Sequence, residues 1–478
     1  MKTIIAGGGI GGLVTALYLS HNQEDVLLLE KKPSLGGRIK FVEEAGFKID
    51  EGPTIVLLPE VILSILEEAG VDRDKIPMKR LDPLYTMHFR NGPSFTKWSD
   101  TQKQLEEITR CFPGEEEHYL QFMHDMKGRF ESGKAAFLEN SFYRKRTFFT
   151  KENMSSLVKM KAYQNVKKQS EQYFSHPMLQ QAFQFQTLYI GGHPSHSPAL
   201  YSLVTFSEHF HGVWYIEGGY ASLITVLEKE LRERGVEIRL NEEVLQVDYT
   251  EDRQFESVLT PSGRMKADQL VLNGDFPKAK QLISKQKETS YKASSGCLLI
   301  YLGVDKIYKE EGVHQFFMGG NLDEHMEDVF RRKQLHDDPS IYVFNPTIMD
   351  DSLAPSGQSV LYMLIPVPSG TDSTFWENKE EYADKMIELV EARGYEGLSS
   401  HIVWKKVRTP DQAEADGLYK GGSFGIQPTL GQSAVFRPQL KPFKADNIYA
   451  VGASVHPGGG VPIVMQGARL LAQHLRHS

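Results

Sequence analysis

The sequence predicts an α/β protein in which a discontinuous Rossmann-like unit is interleaved with a second unit of mixed sheet and helices. Three observations carry this. The chain opens on an apolar run, a glycine turn and a helical pattern, KTIIAGGGIGGLVTALYLS. The same order of strand, glycine turn and helix returns near residues 215–240 and again at the end, NIYAVGASVHPGGGVPIVMQGARLLAQHL. The segments between read as strands and helices without an internal repeat. The expected boundaries are 1–84, 212–290 and 420–478 for the Rossmann-like unit, and 85–211 with 291–419 for the second.

At the start, Thr3 to Ala6 suits a buried strand. Gly7, Gly9 and Gly12 then form G-x-G-x-x-G, opening a helix to about Ser20, and Val26 to Leu29 is a second buried strand closed by Glu30. Gly7 permits the tight turn and Gly9 lets a pyrophosphate approach N–H groups at the positive end of the helix. Gly12 lets that helix pack close to the sheet. Glu30 can accept hydrogen bonds from both hydroxyls of an adenosine ribose. These parts in order point to a dinucleotide.

Leu35-Gly36-Gly37-Arg38 follows the second strand directly. Paired glycines expose N–H groups and Arg38 adds a cation, which suits a diphosphate; an ordinary exposed turn is the alternative. Gly52-Pro53-Thr54, after Asp50-Glu51, reads as a second bend near the same ligand. At the other end, Gly452-Ala453-Ser454 and His456-Pro457-Gly458-Gly459-Gly460 lead into a helix beginning at Val461-Pro462. Proline in the first turn marks a helix N-terminus. Its partial positive charge suits an electron-rich ring, such as a reduced flavin. Two glycine-rich ends make FAD the expected ligand. NAD would need a second G-x-G-x-x-G of its own, and none is present.

The remaining elements follow from periodicity and turn residues. Pro59 to Ala69 is an amphipathic helix ended by Gly70, and Tyr85 to Trp98 is a hairpin around Asn91-Gly92. Asp100 to Phe174 is mostly helical. Tyr220 to Arg234 is a helix ended by Gly235, followed by strands at Val236 to Leu240 and Asn241 to Val247. Val258-Leu259 with Gln269 to Leu272 continues that sheet. Ala293 to Val304, Ile341 to Phe344, Val360 to Pro366 and His401 to Lys405 are further strands, with a helix at Lys379 to Arg393.

Composition excludes several classes. A net charge of -8 over 478 residues gives no reason to expect nucleic acid. Cys111 and Cys297 stand far apart without a CxxC, against a cysteine-ligated metal, and no metal is expected; so few cysteines fit a reducing cytoplasm. No signal peptide precedes the first strand, and no apolar stretch approaches the ~20 residues of a membrane span. One segment is locally basic. Lys134 to Lys168 carries nine Lys/Arg against Glu139 and Glu152, interleaved with Phe137, Phe142, Tyr143, Phe148, Phe149, Met154, Leu157, Val158, Met160 and Tyr163. It reads as a surface lying on anionic lipid, or as a solvated basic face packed by its apolar side.

Several longer segments carry a resemblance: FKIDEGPTIVLLPEV (Phe47 to Val61), FQTLYIGG (Phe185 to Gly192), DPSIYVF (Asp338 to Phe344), SLAPSG (Ser352 to Gly357), GSFGIQPTLGQS (Gly422 to Ser433) and YAVGASVHPGGGVPIV (Tyr449 to Val464). With GGGIGG and LGGR they make the chain similar to the amine-oxidase-like flavoproteins and, within them, to the bacterial phytoene-type carotenoid desaturases of the thirty-carbon branch. The resemblance implies that Gly7, Gly9, Gly12 and Glu30 hold the ADP half of FAD, with Gly36, Gly37 and Arg38 by the pyrophosphate. Val244 would touch the adenine end, while Gly452, Ala453, Val461, Pro462 and Met465 face the flavin. It also implies a lipophilic isoprenoid substrate, peripheral association of a cytoplasmic protein with the membrane, and oxygen or a quinone as electron acceptor.

The implied reaction is desaturation of dehydrosqualene (diapophytoene) or a related carotenoid by hydride transfer to flavin. FAD carries the chemistry, so no side chain is assigned as catalyst. His456 is the polar candidate, for orienting or proton handling, or as a hydrogen-bonded turn histidine. Asp50 and Glu51 are expected to bond ribityl hydroxyls or backbone. Two alternatives remain: oxidation of a diapocarotenoid's terminal methyl to an aldehyde, and a flavin-less protein on this fold that binds prenylated partners.

Overall fold

The computed structural model describes residues 1–133, 139–142, 148–283 and 290–476. Two sheets organise it. The first is fully parallel, in the order Ile448–Ala450, Gln269–Leu272, Lys2–Ala6, Asp25–Leu29, Glu237–Arg239. Its register sets Thr3 opposite Gln269 and Val26. Ile4, Ile5, Leu27 and Leu28 are buried, as near-continuous apolar runs require when both faces are covered: Ile5 and Leu28 pack among helices, Ile4 and Leu27 against Val247, Phe255 and Val258.

The helix Ile10–His21 is buried from Ile10 through Leu19, because it lies against the C-terminal helix Val461–Arg476 and the helix Ser222–Glu233. Such full enclosure explains why it is apolar all round. Gly12 makes the close approach possible: a Cβ there would lie 2.3 Å from the Gly7 carbonyl oxygen. Buried hydroxyls are satisfied locally, with Thr15 donating to Gly11 O at 2.7 Å and Tyr18 to Ile65 O at 3.1 Å.

The second sheet is mixed. Its order is Ile402–Arg408, Gly296–Val304, Ser359–Val367, Ile341–Phe344, His314–Phe317, Tyr85–His88, Ser94–Lys97, antiparallel except between His314–Phe317 and Tyr85–His88. Period-two alternation sorts its side chains. Leu298, Ile300 and Leu302 pack with Met386, Ile387 and Val390 of the helix Lys379–Glu391, whereas Tyr301, Phe316, Tyr342 and Tyr362 belong to the core on the other face. That other face is the one that matters for the site.

Most expected elements appear with ends moved by a residue or two. The hairpin pairs Thr86 with Thr96, and the helical stretch resolves into Thr101–Cys111, Glu116–Gly133, Lys151–Lys159 and Val166–Tyr173. Two expectations fail. The strand expected over Asn241 to Val247 is only reached at its end, as Gln246–Tyr249. Val258 and Leu259 do not continue the parallel sheet; Gln246–Tyr249, Phe255–Thr260 and Gly263–Lys266 form a separate three-stranded antiparallel sheet. Residues 260–263 make a tight turn through Gly263 at φ +117, and this local closure pairs the strands with each other. Cys111 and Cys297 are separate free thiols. Of the basic segment, Lys134, Phe137, Tyr143, Arg144, Lys145 and Arg146 lie outside the described residues. Among the described residues, no helix is long and apolar enough to cross a membrane.

Candidate functional site

A cavity of ≈ 1280 Å³ is walled by both sheets. Its polar end sits at the carboxyl ends of the parallel strands. There the chain leaves Lys2–Ala6 for Asp25–Leu29 on one side and reaches Gln269–Leu272 on the other. Such a switch point opens a crevice in a parallel sheet.

The glycine turn is built as the sequence requires. Gly7 takes φ +110, and a Cβ on it would meet Asn273 O at 2.6 Å. Gly9 caps the helix Ile10–His21 in an extended conformation, without a side-chain cap, so the first-turn N–H groups have no side-chain acceptor there. The second glycine turn presses against the first. Gly36 N–H donates to Gly8 O at 2.8 Å, and a Cβ on Gly37 would sit 3.3 Å from Gly9 Cα.

Glu30, buried at the end of its strand, accepts Gly8 N–H at 2.7 Å and Lys32 N–H at 2.9 Å, one on each oxygen. Each oxygen keeps a second lone pair, so the carboxylate fits two further donors such as ribose hydroxyls. Glu242 N–H donates to Glu30 O at 2.9 Å, which brings Val244 to the same wall. Arg38 lies 3.5 Å from the buried carboxylate of Asp275. Gly452, Ala453, Val461 and Pro462 line the same cavity. The cradle of uncapped N–H groups, close-packed glycines and an anchored acid fits a dinucleotide.

Gly7, Gly9, Glu30, Gly36, Gly37, Arg38, Val244, Gly452, Ala453, Val461, Pro462 and His456 are thus brought to one cavity. Gly12 and Met465 are not on its wall; Gly12 spaces helix from strand, and Met465 is buried in the core beneath. His456 is buried in the wall, and its Nε2 donates to Asn140 O at 2.9 Å, the geometry of a hydrogen-bonded turn histidine. Asp50 lies off the wall, accepting Tyr220 and Ala221 N–H at 2.8 Å each; burial pushes its carboxyl up to about 7. Glu51 is on the wall, paired with Lys40 at 3.1 Å and with Arg408.

Two groups at this end escaped the sequence reading. Asn273 Nδ2 donates to Gly7 O at 2.9 Å and Gly9 O at 3.1 Å, tying two strands through the glycine turn. Asp275 accepts from Tyr419 N–H at 2.9 Å and from the Ser454 hydroxyl, besides facing Arg38. Their position just past the strand Gln269–Leu272, at a carboxyl end, was the available signal.

The far end of the cavity is apolar. The short turn Phe185–Ile190 supplies Phe185, Leu188 and Tyr189, the helix Ser202–His211 supplies Leu203, and the mixed sheet supplies Leu299, Phe316, Tyr342 and Tyr362. A polar chain runs along it. The Thr54 hydroxyl lies 2.7 Å from Tyr342 Oη, which lies 2.7 Å from His314 Nδ1. Burial drives His314 down to about 3, so its imidazole is neutral. Towards Leu200 and Ala434 the wall adjoins a small cluster of Phe142, Phe148, Met160 and Val435. Phe149, Val158 and Tyr163, in or beside the helix Lys151–Lys159, are 54%, 65% and 67% exposed.

A family model described as flavin containing amine oxidoreductase matches residues 10–475. A 4,4'-diapolycopen-4-al dehydrogenase of Metabacillus indicus is 53% identical over 473 residues, covering 98% of this chain and 96% of that protein. A 4,4'-diapophytoene desaturase (4,4'-diaponeurosporene-forming) of Staphylococcus haemolyticus is 30% identical over 494 residues, covering 99% and 98%. Among solved structures, an oxidoreductase from Methanosarcina mazei superposes with a TM-score of 0.69 at 15% identity over the full length of both chains, a likeness of fold. The chain belongs to the flavin containing amine oxidoreductase family.

Proposed function

We propose that this FAD-dependent oxidoreductase oxidises a linear thirty-carbon isoprenoid, desaturating dehydrosqualene (diapophytoene) or a related carotenoid, with oxygen or a membrane quinone as final acceptor. One observation carries the reading: the cavity continues from the nucleotide cradle into an apolar end, and its ≈ 1280 Å³ exceeds the ~300–1,000 Å³ of ordinary ligand pockets. A hydrocarbon offers no group to grip, so recognition rests on burial, at about 0.8 kcal/mol per CH₂.

In this reading Gly7, Gly9, Gly36, Gly37 and Arg38 receive the pyrophosphate, Glu30 the ribose and Val244 the adenine end. Gly12 and Met465 support the cradle from behind. Gly452, Ala453 and the helix start at Val461-Pro462 face the flavin, and His456 fixes the turn before them. Bound FAD supplies the two-electron acceptor. Leu188, Leu203, Phe316 and Tyr362 hold the chain extended and exclude water. The nucleotide unit takes 1–84, 212–290 and 420–478, and the substrate unit the remainder. The exposed Phe149, Val158 and Tyr163, with Lys151, Lys159 and Lys161 beside them, rest on the lipid surface near the apolar end, from which a bilayer-dissolved substrate enters a cytoplasmic protein.

A second reading has a specific observation in its favour. The relative at 53% identity is named as a dehydrogenase of a diapocarotenoid aldehyde, against 30% for the desaturase. Oxidation at the chain end is then the reaction, one level beyond a methyl-to-aldehyde step. Expression beside a dehydrosqualene synthase, followed by pigment extraction, tests the first reading. Yellow to orange polyenes support it, and unchanged dehydrosqualene contradicts it. Feeding 4,4'-diapolycopen-4-al to the same cells tests the second, by the appearance of the carboxylic acid.

A further inference from the structure

The chain Thr54–Tyr342–His314 sets hydrogen-bonding groups into a largely apolar stretch of the wall. Its members come from three segments: the loop after the strand Phe47–Asp50, the strand Ile341–Phe344, and the first residue of the neighbouring strand His314–Phe317. All three side chains are buried, and Thr54 and Tyr342 line the cavity.

The direction of the chain follows from its inner end. His314 stacks on Phe344 at 5.1 Å and Tyr342 at 5.8 Å, and its Nε2 has no hydrogen-bond partner among the described residues. A neutral imidazole carries one N–H. On Nε2 that proton would be an orphaned buried donor; on Nδ1 it is satisfied by Tyr342, and only a lone pair is left bare. Orphaned buried donors are the rarer case, so the hydrogen-bond network assigns the proton to Nδ1. His314 Nδ1–H then donates to Tyr342 Oη, and the Tyr342 hydroxyl donates to Thr54 Oγ1. The Thr54 hydrogen is left over for a ligand in the cavity that Thr54 lines. The relay therefore presents a fixed donor to whatever lies against Thr54.

We propose that this relay binds a carbonyl oxygen at the end of a polyene substrate, with Thr54 as the donor and Tyr342 and His314 as positioning residues. The proposal rests on the second reading above, oxidation at the chain end, and names the group that would hold that end. A saturated or polyene hydrocarbon has nothing to accept this bond. A carbonyl does, and the rings of Phe316 and Tyr342, 4.9 Å apart and stacked, give its conjugated chain an apolar bed.

The test uses the FAD-loaded protein in detergent and two ligands of equal length, a thirty-carbon polyene aldehyde and the matching hydrocarbon, followed by their visible absorption. On the wild type the aldehyde band is expected to move to longer wavelength, as a hydrogen-bonded conjugated carbonyl does, while the hydrocarbon band shows no donor-dependent change. Thr54→Val should weaken aldehyde binding about tenfold and reverse that shift, with hydrocarbon binding unchanged. Thr54→Ser, which keeps the hydroxyl, should restore both, and Tyr342→Phe should reduce the shift. Equal losses for both ligands, or no loss for the aldehyde, overturn the assignment. So does a change in the ligand-free flavin spectrum of Thr54→Val with polyene binding intact, since the donor would then serve a flavin carbonyl. A wild type that binds neither polyene overturns the isoprenoid reading itself.

Discussion

Glu30→Gln is the sharpest perturbation of the nucleotide end. The wild-type carboxylate spends one lone pair per oxygen on Gly8 N–H at 2.7 Å and Lys32 N–H at 2.9 Å, leaving one on each for a ribose hydroxyl. Glutamine keeps the volume and one acceptor oxygen, but turns the other position into a donor facing a backbone N–H. One charge-assisted bond to the ribose is lost, worth about 1.5–3 kcal/mol, so the Kd for FAD should rise roughly 10- to 150-fold. The assay is titration of the apoprotein by quenching of flavin fluorescence. ADP competition should weaken in parallel, while FMN, which has no adenosine ribose, should bind as to wild type. Unchanged FAD affinity, or an equal loss for FMN, would refute the ribose contact and leave Glu30 as a brace for the turn.

Other perturbations follow from the same geometry. Gly12→Ala places a methyl 2.3 Å from Gly7 O and 2.8 Å from Asn273 Nδ2, so the helix must shift; about 1–3 kcal/mol of stability should go, with a lower Tm and poorer FAD retention. Asp50 has a folded pKa of about 7, above its unfolded value near 3.8, so its neutral form is favoured in the folded state. That contribution is complete below about pH 4 and is lost as pH rises through 7, by at most about 1.4 kcal/mol per unit. The wild type should thus lose urea resistance relative to Asp50→Asn over that window, and parallel pH profiles would contradict the burial argument. Phe149→Asp with Val158→Asp should abolish co-sedimentation with anionic vesicles and leave FAD content unchanged; persistent binding would move the lipid-facing surface elsewhere.

How much of this was legible in the sequence depended on locality. The G-x-G-x-x-G turn, LGGR and the helix at Val461 are short-range patterns whose glycines answer to backbone geometry, and they converge on one cavity. The period-two runs of the mixed sheet were equally readable, because alternation states which side chains share a face. Pairing was less so: Val258 and Leu259 look like any buried strand, and only the closing turn at Gly263 commits them to a local sheet. The contacts of Asn273 and Asp275 span more than 130 residues, and no spacing rule reaches that far. Thr54, His314 and Tyr342 are unremarkable individually; strand pairing brings His314 to Tyr342, and the loop after Phe47–Asp50 brings Thr54.

Anaerobic mixing of the FAD-loaded protein with its polyene tests the central claim most directly, because it observes the electron transfer without an acceptor. Bleaching of the oxidised flavin band, matched one for one by the substrate's oxidation, is the predicted result for either a desaturated chain or an oxidised chain end. A flavin that stays oxidised in the presence of bound hydrocarbon and bound aldehyde alike would contradict the account.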